Sequence, residues 1–466
     1  MNKHQLKTTA KVSNNIRRSA LIIATVSSFL SPFMGSSINV ALPDIERSFS
    51  MDAVSLGWIA TAYILAAAVF LVPFGRLADI YGRKKIFTIG VFFYTISSAL
   101  CALAFSKESL IIFRVFQGIG SAMMFSTSMA ILSSVFTTGE RGKAFGIAVA
   151  STYLGLSLGP FLGGIMTQSL GWQSIFWINI PLGVLLLVLL FSLLKGEWAE
   201  AEGEKFDILG SVILSASLIA LIMGMSSLPA LKGILYIIGS VVGLLIFVLW
   251  QHKISYPLLD FKLFSKNRVF AMSNLAAFIN YSATYALTFV LSLYLQYVKG
   301  FEPAYAGIIL IAQPVMMSLF SPLAGLLSDK SEPRIVASVG MALVSIGLAL
   351  LVLVKQDTSV LSIVIFLMIL GLGFALFSSP NTNAVMSSVE KKNYGIASSV
   401  LGTMRLTGQM FSMGIAMLVF SVVIGKVKIT PDVHAHFIES MHIIFGIFAL
   451  LCLAGVLASL SRGKVR

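Results

Sequence analysis

Charge is the scarcest commodity in this chain. Only 11% of the 466 residues are Asp, Glu, Lys or Arg, where an ordinary soluble protein carries about 25%. That shortage excludes a disordered chain and a typical cytosolic enzyme. Cysteine is nearly missing too. Cys101 and Cys452 lie far apart inside apolar runs, which excludes a disulfide scaffold and a cysteine-held metal cluster. No glycine loop ending in Lys-Ser/Thr is available to cradle a nucleotide phosphate, so an ATP-driven pump is unsupported. No nucleophile–base pairing recommends an enzyme, and nothing calls for a cofactor or a metal. Acids are outnumbered, 19 to 33, by Lys and Arg, giving a net charge of +14. The bases sit between apolar runs, not on one polar face, which argues for membrane anchors and against nucleic acid.

What the chain has in abundance is apolar length. Hydrophobic residues make up 57% and the mean hydropathy is +0.92. A helix needs about 20 apolar residues to cross the hydrocarbon. That measure predicts fourteen spans, at 19–43, 53–74, 86–106, 109–136, 144–169, 174–194, 208–228, 234–251, 269–298, 304–326, 335–354, 358–388, 394–425 and 438–460. The runs are continuous, which excludes the alternating strands of a β-barrel. The first run lacks a small-residue cleavage site and reads as a retained helix. With the amino terminus inside, 24 of the 33 Lys and Arg fall on the cytoplasmic side and 7 outside, with Arg114 and Arg405 inside spans. Positive residues favour the cytoplasmic face, so both termini are expected there, in a multi-pass protein of the cell membrane.

The chain repeats itself. Gly75-Arg-Leu-Ala-Asp79 closes the second span and Gly325-Leu-Leu-Ser-Asp329 the tenth, 250 positions apart; Phe145-Gly-Ile-Ala opens the fifth and Tyr394-Gly-Ile-Ala the thirteenth, 249 apart. Two matches at nearly one offset make spans 1–6 correspond to 9–14. The predicted organisation is a cytoplasmic segment 1–18, a six-helix bundle 19–194, two inserted helices with connectors 195–268, a second six-helix bundle 269–460 and a cytoplasmic tail 461–466. Parallel repeats about the membrane normal point to a transporter with its site between the halves near the midplane.

Four motifs now stand in order. Gly75-Arg-Leu-Ala-Asp79-Ile-Tyr-Gly82-Arg83-Lys84-Lys85 follows the second span, and Leu110-Ile-Ile-Phe-Arg114-Val-Phe-Gln117-Gly118 lies in the fourth. Gly155-Leu-Ser-Leu-Gly159-Pro160-Phe-Leu-Gly163-Gly164 lies in the fifth, and Gly171-Trp172 through Asn179 to Gly183 opens the sixth. Together they resemble the major facilitator superfamily, in its fourteen-helix drug:proton antiporter branch. The resemblance implies an all-α integral membrane fold, gating or proton coupling through Gly75, Asp79, Gly82, Arg83, Arg114 and Gly118, and an antiporter motif at Gly155, Gly159, Pro160 and Gly163. It also implies small lipophilic substrates, protons as coupling ion, and a protein acting as a monomer in the bilayer.

Residue chemistry gives these motifs work. Asp79 amid Arg76, Arg83, Lys84 and Lys85 can pair across a helix end and hold one conformation; the alternative is a solvated positive loop. The glycines of the fifth span leave a flat face for a neighbouring helix, and Pro160 can bend the rod. Arg114 inside a span costs at least about 2.5–3.5 kcal/mol, so it should face protein or a water-filled cavity.

One departure from the family matters. Where it often places an Asp ahead of Asn39–Pro43, this chain has Met34, and none of its 19 acids falls mid-span. A cation would then be held by aromatic faces, and proton coupling would fall to Asp79 with Arg114, or to Glu439 and His442. The polar residues Asn39, Tyr63, Asn179, Asn280, Tyr285, Gln313, Asn381, Asn383, Arg405 and Gln409 are cavity candidates. The run Ser378–Asn383, with Pro380, is expected to break the twelfth span. The acidic stretch from Lys195 to Asp207 reads as a solvated connector. The expected function is efflux of lipophilic compounds in exchange for protons. The alternatives are export of a neutral or anionic metabolite, or a non-transporting receptor of the same fold.

Overall fold

The computed structural model describes residues 14–136, 141–259, 261, 264–265, 267–390, 394–425 and 427–463. Glu140 and most of the amino-terminal segment lie outside them. Inside hydrocarbon every backbone amide must find its partner within the chain. The apolar runs accordingly fold as helices, and fourteen of those described are long and apolar enough to cross a membrane. They are α1 (Asn14–Phe49), α2 (Ala53–Tyr81), α3 (Arg83–Ala102), α4 (Lys107–Val135), α5 (Arg141–Leu170), α6 (Ser174–Leu193), α7 (Ile208–Ser227), α8 (Leu231–Lys253), α9 (Arg268–Val298), α10 (Pro303–Ser328), α11 (Pro333–Leu351), α12 (Val360–Ser387), α13 (Tyr394–Val423) and α14 (His434–Ser461). Side-chain caps set several starts. The Asp52 carboxylate accepts from Val54 and Ser55, and Ser106 and Ser109 form a reciprocal box at α4.

The repeat is visible in the packing. The pairs α1–α5, α2–α4, α3–α4 and α3–α6 recur as α9–α13, α10–α12, α11–α12 and α11–α14. One crossing is matched in detail. A Cβ on Gly90 would sit 3.1 Å from the Gly120 carbonyl, and one on Gly340 would sit 2.6 Å from that of Gly373. Between the halves, α2 packs on α13 and α5 on α10. The inserted α7 contacts both α2 and α13 and carries α8 on its outer side. Asp207 ties the two together: its carboxylate caps Gly210 N at 2.8 Å and accepts from Trp250 Nε1 at 3.0 Å and Gln251 Nε2 at 2.7 Å.

Several expectations need correction. α12 runs unbroken through Pro380. Proline removes one backbone donor, but Asn381 Nδ2 donates to the Ser273 carbonyl on α9 at 3.0 Å and Thr382 Oγ1 to the Ser378 carbonyl at 2.8 Å. The helix is thus continuous and fastened to α9 beside the proline. The segment after α2 is not a loop, because only Gly82 (φ 115°) separates α2 from α3. The segment predicted as a tail begins inside the bundle. Arg462 is fully buried and donates to the Ser459 carbonyl at 2.9 Å, Asn381 Oδ1 at 3.0 Å and Ser273 Oγ at 3.2 Å. It fastens α14 to α9 and α12.

Candidate functional site

The two halves enclose a cavity of about 220 Å³. Its walls come from α1, α2, α4 and α5 of the first half and α9, α10, α12 and α13 of the second. On α9 the lining residues Tyr281, Thr284, Tyr285 and Thr288 follow the spacing of one helical face. Asn39, Tyr63, Tyr285, Gln313, Arg405 and Gln409 all line it, as does Pro160. The other candidates lie elsewhere. Asn179 Nδ2 donates to the Ile175 carbonyl at 2.8 Å, and its Oδ1 accepts from Tyr94. Asn381 belongs to the Arg462 cluster, and Asn383 donates to Ser328 Oγ at 3.0 Å. Asn280 is buried and outside the lining. These four amides hold helix to helix or sit sealed in the bundle.

The lining also contains groups that reading for amides and charges passes over. Ser31, Ser121 and the Tyr63 hydroxyl form a closed triangle, with Tyr63 Oη donating to Ser121 Oγ at 2.7 Å. Tyr153 on α5 meets Ser378 Oγ on α12 at 2.9 Å. Small hydroxyls in a span resemble ordinary helix-packing residues; the signal available was their recurrence on one face, as at Ser27 and Ser31. Among the described residues that line the cavity there is no Asp or Glu, and Arg405 is the cation. Its Nη2 donates to Thr382 Oγ1 at 3.1 Å, its Cζ lies 5.5 Å from the Tyr281 ring centroid, and its Nε has no partner.

Arg114 faces protein and not the cavity. It is completely buried, donating from Nε to the Ile59 carbonyl at 3.0 Å and from Nη1 to Gln117 Oε1 at 2.6 Å. Gln117 passes the chain on to Ser98 Oγ. Gly118 lets α4 reach α2, since a Cβ there would overlap the Tyr63 backbone. Arg114 therefore binds α2 at Ile59, 20 residues before Asp79 on the same helix. At 1.5 Å per residue the two levels differ by about 30 Å, so Asp79 and Arg114 make no direct contact.

Asp79 is held instead by Arg83, through Nε at 2.8 Å and Nη2 at 2.7 Å. The stretch expected to be a solvated connector is bound onto this junction. Glu197 accepts from the amides of Lys84 at 2.8 Å and Lys85 at 3.0 Å, capping α3. Glu200 reaches Arg83 Nη1 at 2.7 Å, and Glu204 pairs with Arg76. Two backbone bonds finish the strap, Arg83 N to the Trp198 carbonyl and Ala201 N to the Asp79 carbonyl, each 2.9 Å. Gly82 is required twice over: its φ of 115° suits glycine, and a Cβ would lie 2.5 Å from Glu197 Cδ. Gly75 carries no such demand, for a Cβ there would meet Ser126 at 3.6 Å, an ordinary contact. On α5 the glycines do admit a neighbour. A Cβ on Gly155 would lie 2.5 Å from the Phe29 carbonyl and one on Gly163 2.8 Å from Ser37 Cβ, while Ser37 Oγ donates to the Gly159 carbonyl at 3.0 Å. Glu439 is exposed and His442 bonds the Val354 carbonyl at 2.6 Å.

Beyond the Tyr153–Ser378 bond, several hydrogen bonds between the halves lie on the face away from the described chain ends. Ser292 Oγ donates to the Asn39 carbonyl at 2.7 Å and Gln296 Nε2 to that of Val40 at 2.9 Å. Ala53 N meets the Val427 carbonyl at 3.1 Å, and Ala304 N meets Gln168 Oε1 at 3.3 Å.

Comparison with known proteins agrees with this arrangement. The family model for the Major Facilitator Superfamily matches residues 24–270 and 273–464. The riboflavin transporter RibZ of Clostridioides difficile is 32% identical over 388 residues, covering 83% of this chain and 84% of its own. The multidrug resistance protein Stp of Mycobacterium tuberculosis is 31% identical, covering 82% and 71%. Among solved structures, a bacterial homologue of the human lysosomal transporter Spinster superposes with a TM-score of 0.66 at 18% identity, covering 97% of both chains. The peptide transporter POT gives 0.70 at 14%, covering 96% of each. With its two repeated halves, shared cavity and near-complete family match, this chain is a multi-pass membrane transporter belonging to the Major Facilitator Superfamily.

Proposed function

We propose that this protein exports small lipophilic compounds across the cell membrane, exchanging them for protons by rocking its halves around the cavity. The observation that carries the reading is the cavity itself, bounded by both halves and sealed by bonds between them on one face. Each bond is worth about 0.5–1.5 kcal/mol net, a scale on which a ligand can shift the balance of two conformations. With both ends of the chain in the cytoplasm, as the distribution of Lys and Arg favours, the sealed face is the outer one. The protein then stands ready to load from within. Multidrug resistance proteins among its relatives support efflux. In proton exchange, substrate added to vesicles holding the purified protein should change the lumenal pH. Demonstrated transport at constant lumenal pH removes the proton, and absence of transport removes the exporter.

A further inference from the structure

The chemistry of the cavity wall narrows the substrate. Six rings face it from five helices: Tyr63, Phe125, Tyr153, Tyr281, Tyr285 and Phe374. Such a wall favours a flat aromatic ligand, since rings gain from offset or edge contacts beyond the area they bury. Tyr281 and Phe374 already stand edge to face, with centroids 5.4 Å apart.

Charge decides the rest. A cation usually needs a carboxylate or a free ring face when it leaves water. No described lining residue is acidic. Two of the tyrosine faces are already taken by the protein's own cations, Arg114 over Tyr63 at 4.4 Å and Arg405 over Tyr281 at 5.5 Å. An incoming cation would meet positive charge at both, which leaves it Phe125, Tyr153, Tyr285 and Phe374 with no carboxylate beside them. An anion or a carbonyl oxygen meets the opposite situation. Arg405 keeps its Nε–H unpartnered beside the cavity, and on the facing half Asn39 keeps its Oδ1 unpartnered at 3% exposure. A buried polar group left without a partner is costly, and a charge-assisted bond to guanidinium is among the stronger ones.

We propose, building on the exporter reading above, that the cavity selects compact planar aromatic compounds that are uncharged or anionic. Their edge carries an acceptor for Arg405 and a hydrogen-bond donor for Asn39, and permanent cations are disfavoured. Such a ligand spans both halves, so it contacts each part that must move.

Three fluorescent probes test this with the purified full-length protein. Fluorescein, kept mildly acidic so that it is a monoanion with one phenolic hydroxyl left to donate, pairs with rhodamine 123, a cation on the same xanthene core, and 7-amino-4-methylcoumarin is planar and uncharged. Fluorescence anisotropy should show fluorescein and the coumarin binding, with rhodamine 123 about tenfold weaker than fluorescein or worse. Arg405→Gln should weaken fluorescein about tenfold more than it weakens the coumarin. Rhodamine 123 binding as tightly as fluorescein overturns the proposal. So does an equal loss for fluorescein and the coumarin in the variant, or failure of both to bind wild type. The transport reading fails separately: the expected binding order with no probe moved in proteoliposomes removes the exporter and leaves the selectivity standing.

Discussion

The Arg114 guanidinium carbon lies 4.4 Å from the centre of the Tyr63 ring, whose hydroxyl belongs to the triangle with Ser31 and Ser121 on the cavity wall. Arg114 thus reaches the cavity only through Tyr63. Its removal cuts the tie to Ile59 and leaves the Gln117 side-chain oxygen buried and unpaired, at a cost of about 1–3 kcal/mol. Arg114→Ala should therefore lower the thermal unfolding midpoint in detergent and impair transport more than Arg405→Ala does. Arg114→Lys should not restore it, because lysine lacks the planar fork that serves both partners. Equal tolerance of both alanine variants in a proteoliposome assay contradicts this ranking.

The strap makes a prediction about coupling. Glu197→Ala removes a helix cap worth about 0.5–2 kcal/mol. Gly82→Ala displaces the same carboxylate and adds backbone strain of about 1–3 kcal/mol. Since both substitutions disturb one contact, their effects on thermal stability should fall short of additive. A strictly additive double variant would show that Gly82 serves something other than Glu197.

Asp79→Asn should abolish transport while leaving the amount of protein in the membrane unchanged, because Asp79 spends both its bonds from Arg83 at the edge of the bundle and not in its core. Immunodetection alongside vesicle transport checks both halves of that statement. A fully active variant removes the gating role.

Tyr297 donates to Glu46 Oε2 at 3.2 Å across the halves. Tyr297→Phe leaves that acid, 8% exposed, without its partner, and should favour opening of the face it helps to seal. A cysteine at Val40, alkylated by an impermeant maleimide, should then react several-fold faster. Cys101 and Cys452 are buried and add little background. An unchanged rate assigns the seal to other contacts.

At Asp52 burial works against ionisation, but donors from the Ser55 hydroxyl and the Ser55 and Val54 amides outweigh it and hold the carboxyl below its ordinary value of 3.8. A carboxyl lowered in the folded state contributes stability above the unfolded value and loses it as pH falls through the folded one. Wild type should exceed Asp52→Asn in thermal midpoint at neutral pH, with the gap closing below about pH 3.8. A gap independent of pH contradicts the capping charge.

The spans were legible because bilayer thickness and backbone pairing leave an apolar run little choice but a helix. The repeat was legible at Gly75 and Gly325, whose offset recurs between Gly90 and Gly340 in the matched crossings with Gly120 and Gly373. Pro380 misled because composition marks a break, whereas the helix continues through it and is tied to α9 at Asn381. The strap was illegible for another reason. Glu197, Glu200 and Glu204 look like solvated acids until the fold carries them over 100 positions back to Lys84, Arg83 and Arg76. The cavity was half legible: polarity singled out Arg405 and Asn39, but not which amides had already found partners.

The inserted α7 touches α2 and α13, the helices that meet along one seam between the halves. Of the most apolar stretch of α2, 83% is buried, and 50% of that of α13 beside it, against 41% on α5 and 33% on α10, which meet along the other seam. Leu154, Leu319 and Leu323 stand exposed there. Two seams that a symmetric pair of bundles would present alike are therefore unequal, one shuttered by an extra rod and one bare. Under the exporter reading, a greasy molecule dissolved in the bilayer meets the bare flank, not the shuttered one, on its way sideways toward the centre.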